Sequence, residues 1–434
     1  MRRRRIQRRQ RPRRRPRPPR RPNRQRQQPR HRQSRPKLQR RRHRLPQIRR
    51  EMNNRLLRVF CLSSAVYFTQ GIETLPSQGL FYYLKESLKF TPEKIMLISG
   101  VITFAWLVKP AIGYIVDNFL NKKIWILISL SCSALLAAVI GSNHLPLAFL
   151  VGMLIVGSAW AAFRDVSVDG IMCVEGKQHN ATGKIQSVQW ISISVATLIT
   201  GIGGGYIAEK WDYTTGYLCL IPVYIIAGAF AYFYNAGEPI RRETASKFIQ
   251  DMKTLLGSRR LVWAGLFVFL YQFAPSFGTP LLFVQKDVFK WSKVWIGALG
   301  TIGTVFAVIG ALLYFKFSQK INLKKWLFFS VFLGAATTLS YLHYTPATAV
   351  AYDIVYSLMG MFVFLMILDF MARNSIPGLE AASFALLTSL SNLAVVASNF
   401  CGAFLLPVLG LQGLIVMSSA ASFLCLFIIP KIIV

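Results

Sequence analysis

The chain has 434 residues and a formal net charge of +35, and much of that charge lies at one end. Residues 1–50 contain 25 of the 52 Lys and Arg residues and no acidic residue, which leaves 27 basic against 17 acidic residues, a net of +10, for the rest. Hydrophobic residues make up 53% of the whole chain, so the part after the basic tract is more apolar still. The six cysteines lie in apolar segments without metal-ligand spacing, which indicates neither a metal site nor a disulfide framework.

The tract 1–50 is rich in Arg, Pro and Gln and cannot bury a core, so we predict that it has no fixed structure. Three interpretations remain open. The tract is a cytoplasmic arm attracted to anionic lipid, or an extension upstream of a translation start at Met52, or a targeting or nucleic-acid-binding segment. No aromatic residue lies among the arginines to stack on bases, so we expect no nucleic-acid partner and assign the tract no core function.

Apolar stretches of membrane-spanning length follow one another from residue 57 to the C-terminus. About 20 apolar residues cross the hydrocarbon core as a helix, in which every backbone polar group is satisfied internally. The predicted spans cover about residues 57–84, 93–116, 124–142, 146–173, 183–209, 214–234, 259–285, 293–317, 323–342, 346–371, 379–406 and 410–431. The pattern predicts an all-α membrane protein with about twelve transmembrane helices.

The widest gap between spans, residues 235–258, is charged and divides the chain into halves of six predicted helices, 51–234 and 259–434. Loops on the side of this linker hold roughly twice as many Lys and Arg residues as loops on the other side. Because cytoplasmic loops are enriched in these residues, both termini and the linker are expected to be cytoplasmic. A bacterial inner membrane and a plastid envelope both fit this pattern.

The two halves repeat at an offset of about 200 residues. Three short matches share this offset: KKIW at 122–125 with KKWL at 324–327, Leu75-Pro76 with Thr279-Pro280, and Asp169 with Asp369. Parallel repeats of six helices are typical of major-facilitator-type transporters, in which two bundles move around a site near the middle of the membrane. We therefore predict two six-helix bundles of this type, in a monomer.

Charged residues inside spans are costly and usually functional, and the first span contains Glu73 together with Gln70. Pro76 interrupts the helix hydrogen bonding one turn away, so Glu73 is expected beside a broken helix that lines a cavity. Glu73 either takes up a proton that is coupled to substrate movement or pairs with a neighbouring helix.

The second and fourth spans carry further charges near their inner ends. Lys109 lies two helical turns inside Asp117 in the second span, and the fourth span contains Arg164-Asp165-Val-Ser-Val-Asp169. Asp165 and Asp169 are four residues apart and share a helix face. Lys109 either extends toward the membrane surface or pairs with one of these acids, where the cluster forms a gate between helices or a proton relay.

In the second half, Asp369 and Arg373 have the same four-residue spacing with opposite charges. They form a local salt bridge, or Arg373 is released in one conformation to bind a substrate carboxylate. Glu380 opens the next helix, whose N-terminus favours a negative charge. Six polar residues inside spans either contact a heterocyclic substrate or join helices: Gln70, Gln186, Gln189, Ser389, Asn392 and Asn399.

Three motifs resemble the folate–biopterin transporter family of the major facilitator superfamily. They are Trp106-x-x-Lys109-Pro110-x-x-Gly113-x-x-x-Asp117, then Asp165-Val-x-Val-Asp169 with Glu175, and Pro377-Gly378-x-Glu380-x-x-x-Phe384-Ala-Leu-Leu-x-Ser389-x-x-Asn392. The resemblance extends over about residues 57–431. It implies transport of folates, pterins or S-adenosylmethionine with proton coupling, and substrate or coupling roles for Lys109, Asp117, Asp165, Asp169 and Glu380.

Three functional hypotheses follow. The first is a proton-coupled secondary transporter of folate or pterin compounds, and the second is a facilitator of another solute, such as S-adenosylmethionine, a peptide or a muropeptide. The third is a membrane-tethered protein that binds nucleic acid or lipid through the Arg-rich tract. The sequence contains no Walker A motif, no motif-bearing nucleophile and no metal-ligand cluster, so we expect neither an enzyme nor a cofactor.

Overall fold

The computed structural model describes residues 55–179, 182–234, 244–317, 322–376 and 379–432. Every regular element within these ranges is helical. The basic tract 1–50, with the interpretations given to it, lies outside them.

The N-terminal bundle is built from eight helical segments. These are α1 (55–72), α2 (Ser77–Tyr82), α3 (Pro92–Ile102), α4 (Lys109–Asn118), α5 (Lys122–Ser142), α6 (Leu147–His179), α7 (Thr182–Lys210) and α8 (Tyr213–Phe233). A 3-10 turn, Thr103–Val108, joins α3 to α4. Side-chain caps from Asn121 and Asp212 begin α5 and α8.

The linker helix and the C-terminal bundle follow. They consist of α9 (Ala245–Gly257) in the linker, then α10 (Arg259–Gln272), α11 (Gly278–Phe283), α12 (Lys293–Phe317), α13 (Leu323–Ser340), α14 (Ala349–Asn374) and α15 (Glu380–Ser422). The last is two helices joined at a kink, where Gly410 has a φ of 64°. Only glycine adopts this backbone region without strain.

In the described part of the chain, nine helical stretches are long and apolar enough to cross a membrane. One of them, Ala382–Lys431, includes the kink and covers the eleventh and twelfth predicted spans. The first and seventh spans are each split into two shorter helices, by the turn at 73–76 and by residues 273–277. These divisions are compatible with the predicted twelve, and non-helical backbone at membrane depth is tolerated where it lines a cavity or packs within protein.

Both halves contain the same unusual turn after their broken span. A π-helical turn covers Tyr83–Ser87 in the first half and Val284–Val288 in the second, 201 residues later. Each turn is followed by a lysine in the left-handed backbone region, Lys89 with a φ of 54° and Lys290 with a φ of 56°. Since non-glycine residues rarely adopt this conformation, its recurrence fixes the register of the repeat at 201 residues.

This register corrects one of the short matches used to detect the repeat. The helices α2 and α11 begin at equivalent positions, Ser77 and Gly278. Pro76 therefore precedes its helix, whereas Pro280 lies inside the first turn of the equivalent helix. The two prolines mark the same break from different positions.

Each bundle has its own apolar core. Val59, Ile126 and Leu220 are among the buried residues of the first core. Leu327 and Phe370 belong to the core of the second. A smaller apolar cluster, which includes Tyr82, Ala208 and Ile296, joins the two halves.

Candidate functional site

The break after α1 places a carboxylate against a fully buried guanidinium. Arg164 Nη2 lies 2.5 Å from Glu73 Oε1, and the hydroxyl of Tyr224 donates to the same oxygen at 2.9 Å. The Arg164 Nη1 atom donates to Ser133 Oγ at 3.4 Å. Glu73 therefore pairs with a neighbouring helix, and four helices meet at this pair. The sequence interpretation passed over Arg164, although a charge inside an apolar span was the signal that could have revealed it.

A second cluster lies deeper toward the linker end of the same bundle. Lys109 Nζ lies 2.6 Å from Asp165 Oδ2, and the Gln70 amide donates to Asp165 Oδ1 at 2.6 Å. The Lys109 ammonium also lies 4.4 Å from the centre of the Trp106 ring, within the range of a cation–π interaction. The side chains of Lys109 and Asp165 are both largely buried. Both carboxylate oxygens of Asp165 are thus engaged.

Asp169 lies one helical turn from Asp165 and has different partners. The hydroxyl of Tyr67 donates to Asp169 Oδ1, and the Gln189 amide donates to the same oxygen at 3.0 Å. Among the described residues, the direct donors to Asp169 are neutral. Asp165, Asp169 and Lys109 together carry a net charge of −1 when all three are ionised.

The cluster reaches the surface between the bundles through Trp106. The side-chain amide of Asn392, on α15, donates to the Trp106 carbonyl oxygen at 3.4 Å. Trp190 and Phe364, from opposite bundles, make an edge-to-face contact with ring centres 5.3 Å apart. We call the series Asp169, Asp165, Lys109, Trp106 and Asn392, which ends on the C-terminal bundle, the polar path.

The helix α15, which carries Asn392, also carries two other predicted polar residues, Ser389 and Asn399. Ser389 is buried, and its hydroxyl has no hydrogen-bond partner within the described ranges. Asn399 is half-buried. The side chains of Gln186 and Glu380 lie outside what the structure describes, although α15 begins at Glu380 as predicted.

The remaining predicted charges are separate from this cluster. Asp117 lies 3.0 Å from Lys122 Nζ at the linker end of α4. Arg373 makes a two-point contact with Asp369, at 2.8 and 3.2 Å, and the Tyr314 hydroxyl donates to Asp369 at 3.1 Å. Asp369 and Arg373 thus form the local salt bridge in this conformation.

A carboxylate that the sequence interpretation left unassigned lies in the C-terminal bundle. The hydroxyls of Tyr341 and Tyr344 donate to Asp353 at 2.8 and 3.2 Å. Gln285, in the π-helical turn, donates to the Tyr344 hydroxyl at 2.7 Å. Burial, together with the nearby Asp353 carboxylate, raises the pKa of Tyr344, so its hydroxyl keeps the proton that it donates. This cluster fastens the turn to α14.

The two bundles are joined by ion pairs at one end, which we call the rim end; it carries the two π-helical turns. Lys85 Nζ lies 2.5 Å from Asp287 Oδ1, and Lys293 Nζ lies 2.7 Å from Glu86 Oε2. The backbone amide of Val294 donates to Glu209 at 3.2 Å. Between described residues, ion pairs from one bundle to the other occur only at this end.

Small residues allow the bundles to approach closely near the rim. A Cβ added to Gly201 on α7 would lie 2.8 Å from the Gly297 carbonyl oxygen on α12. The Thr301 hydroxyl bridges the same helices, accepting from the Ile202 amide at 3.1 Å and donating to the Leu198 carbonyl at 3.2 Å. The glycine run around Gly201 thus serves close packing between the bundles.

These features define a class of protein. Its two bundles of apolar helices are joined by ion pairs at one end, and a polar cluster reaches the surface between them. These are features of a major-facilitator-type membrane transporter. The fold agrees with that of a crystallised D-xylose-proton symporter, with a TM-score of 0.70 and 13% identity over 86% of this chain and 97% of that one.

The chain belongs to the BT1 family, whose sequence profile matches residues 70–426. It is 25% identical to a folate-biopterin transporter of Synechocystis over 370 residues, covering 80% of this chain and 74% of that protein. It is also 20% identical to folate transporter 1 of Plasmodium falciparum, over 79% of this chain and 72% of that protein. It is a multi-pass membrane transporter and not an enzyme.

Proposed function

We propose that the protein is a secondary active transporter of folate or pterin compounds, coupled to protons and working by alternating access. The observation that carries the proposal is the polar path from Asp169 through Asp165 and Lys109 to Trp106 and Asn392. It crosses the surface between the bundles, where a transported solute must bind. Folate and pterin relatives in the same family support this choice of substrate class.

The residues along this path suit the chemistry of a folate. A folate has a flat heterocycle with hydrogen-bonding edges and, at its other end, carboxylates. The face of Trp106 can stack on the ring, and the Asn392 amide can bond to its edge. The Lys109 ammonium lies against the Trp106 ring and can hold a carboxylate once it is released from Asp165.

Proton coupling follows from the charges of the same cluster. The two carboxylates lie one turn apart, and the Lys109 ammonium, which contacts Asp165, balances only one of their charges, so the uptake of a single proton neutralises the group. A proton on Asp169 removes one of the two negative charges that attract Lys109, so an anionic substrate can compete with Asp165 for the ammonium. Asp169 is the first acceptor, because its direct donors among the described residues are neutral and no ion pair must break.

The other predicted charges are assigned to the movement between conformations. The rim pairs keep the bundles closed at the rim end while the linker end admits or releases solute. The helices α4 and α14 end at the linker end and α15 begins there. We assign the charges near these termini to the opposing gate: Asp117, Asp369, Arg373 and Glu380. Gln186, Gln189, Ser389 and Asn399 are assigned to polar contacts with the solute or its neighbours. We place the linker and both termini in the cytoplasm because the loops on their side are richer in Lys and Arg.

The coupling step can be separated from substrate binding in proteoliposomes that contain the purified full chain. We expect Asp169→Asn to retain exchange of radiolabelled folate against folate inside the vesicle, while losing the acceleration caused by a pH gradient. Asp251→Asn on the linker helix, which also removes one carboxylate, should leave both reactions unchanged. Gradient-driven uptake by Asp169→Asn at the wild-type rate would exclude Asp169 as the proton acceptor.

Competition distinguishes the substrate class. Uptake of radiolabelled folate should be inhibited by unlabelled folate and biopterin at concentrations where S-adenosylmethionine and dipeptides have no effect. Inhibition by S-adenosylmethionine or dipeptides alone would assign the chain to another solute.

A further inference from the structure

A basic cavity lies at the linker end of the C-terminal bundle, away from the transport path. Its volume is about 350 Å³, and it is lined by Arg259, Arg260, Trp263 and Lys431. Arg259 and Arg260 open α10, while Lys431 comes from the C-terminal end of the described chain. Three positive charges from two distant parts of the sequence are therefore gathered around one space.

No acid among the residues that the structure describes contacts these charges directly. Arg260 donates to two neutral acceptors, the Asn374 side chain at 3.1 Å and the Arg373 carbonyl oxygen at 2.6 Å. The Lys431 ammonium lies 4.5 Å from the centre of the Trp263 ring. Among the described residues, no carboxylate lines the cavity. Because like charges at close range repel, an anion in this space would be stabilised by all three.

The surroundings place the cavity at the boundary between lipid and water. Trp263 lies in the first turns of α10, which opens the seventh predicted span, a position where tryptophan is enriched. The linker helix α9 ends directly before the cavity and leaves Ile249 and Leu256 exposed by 52% and 63%. These residues are seven positions apart and share a face, as in helices that lie on a membrane surface.

We propose that this cavity binds the phosphate of an anionic phospholipid headgroup. The two guanidinium groups can donate hydrogen bonds to phosphate oxygens, and both lie at the N-terminus of α10, which favours a negative charge. Lys431 closes the far side, and Trp263 with the apolar face of α9 contacts the acyl region. Anionic lipids are recognised by basic pockets of this kind between transmembrane helices.

The test titrates the purified full chain, in neutral detergent, with soluble dioctanoyl phosphatidylglycerol while the thermal-unfolding midpoint is recorded. A saturable rise in the midpoint is expected, with little effect from dioctanoyl phosphatidylcholine. The double variant Arg259→Gln with Lys431→Gln should raise the half-saturating lipid concentration roughly 25-fold. Each cation near an anionic group contributes roughly fivefold to the affinity, and this variant removes two. Arg260 is kept because its guanidinium also joins α10 to α14.

The matched control is Lys324→Gln with Lys325→Gln, which removes two exposed lysines at the start of α13 outside the cavity. The basic tract 1–50 is present in every variant, so differences between variants report the cavity.

Equal weakening by both double variants would overturn the proposal in favour of general surface charge. Competition by millimolar inorganic phosphate would reassign the cavity to a free anion, and the absence of a saturable rise would also refute it. If the double variant is poorly folded, native mass spectrometry of Arg259→Gln, which should lose bound phosphatidylglycerol, decides the question.

Discussion

The ion pair between Glu73 and Arg164 joins the break in the first span to the middle of the fourth, with Oε1 and Nη2 2.5 Å apart. Because Gln70 precedes Glu73 by one turn of α1, the pair also fixes the helix face that contacts Asp165. The Glu73–Arg164 pair therefore helps to position Asp165, although the pair itself is not part of the polar path.

Removing the Arg164 guanidinium should destabilise the N-terminal bundle. Arg164→Met leaves the Glu73 carboxylate without its cation, and breaking a buried pair in this way costs about 3–5 kcal/mol. We expect a much lower thermal-unfolding midpoint for the purified protein, partly restored when Glu73→Gln is added. Arg373→Met, which breaks a half-exposed pair, is the control and should lower the midpoint far less. An unchanged midpoint for Arg164→Met would contradict this account of the break.

Lys109 and Asp165 should be energetically coupled in transport. Lys109→Ala is expected to reduce folate uptake strongly, whereas Lys253→Ala on the exposed linker helix should not, at equal surface expression. Asp165→Asn with Lys109→Ala should be less harmful than the sum of the two single changes, since it removes both partners of a buried pair. Strict additivity in the double-mutant cycle would rule out the coupling.

The rim pair of Lys85 and Asp287 should tolerate exchange of its charges. Lys85→Asp or Asp287→Lys alone places like charges together between the bundles and should slow uptake severalfold. The double variant rebuilds the pair in reverse and should recover much of the rate. Initial rates of folate uptake, normalised to the amount of protein in the membrane, measure this. A double variant as slow as the single ones would indicate that the pair does not hold the rim closed.

Close approach at Gly201 should be essential to closure of the rim. Gly201→Leu would force α7 away from the Gly297 backbone of α12 and should abolish uptake while the protein remains in the membrane. Gly228→Leu is the matched control, because a Cβ at Gly228 meets no atom within 4 Å among the described residues. Normal uptake by Gly201→Leu would show that the bundles need not meet here.

Much of the fold could be predicted from the sequence, because span length and loop charge reflect the bilayer directly. The start of α12 at Lys293 and the gap before α10 agree with the predicted spans. The exact repeat register could not be found this way. It depends on the paired left-handed lysines, Lys89 and Lys290, whose backbone conformation leaves no mark in hydropathy.

The sequence identified the acids of the candidate site and Lys109, but it identified less well the groups that these residues contact. A charge inside an apolar span is visible in a sequence, whereas the choice of Asp165 over Asp169 depends on the packing of α4 against α6. Tyr67 and Asp353 were missed for a related reason. A tyrosine or a single acid within an apolar segment gains its meaning only from the hydroxyls and carboxylates that folding brings beside it.

The most direct measurement is the uptake of radiolabelled folic acid by proteoliposomes that contain the purified full chain, with the outside more acidic than the inside. We predict saturable accumulation, inhibition by biopterin, slower uptake when the pH gradient is collapsed, and loss of uptake in Lys109→Ala. If folded wild-type protein accumulates neither folate nor biopterin under these conditions, the proposed transport function is wrong.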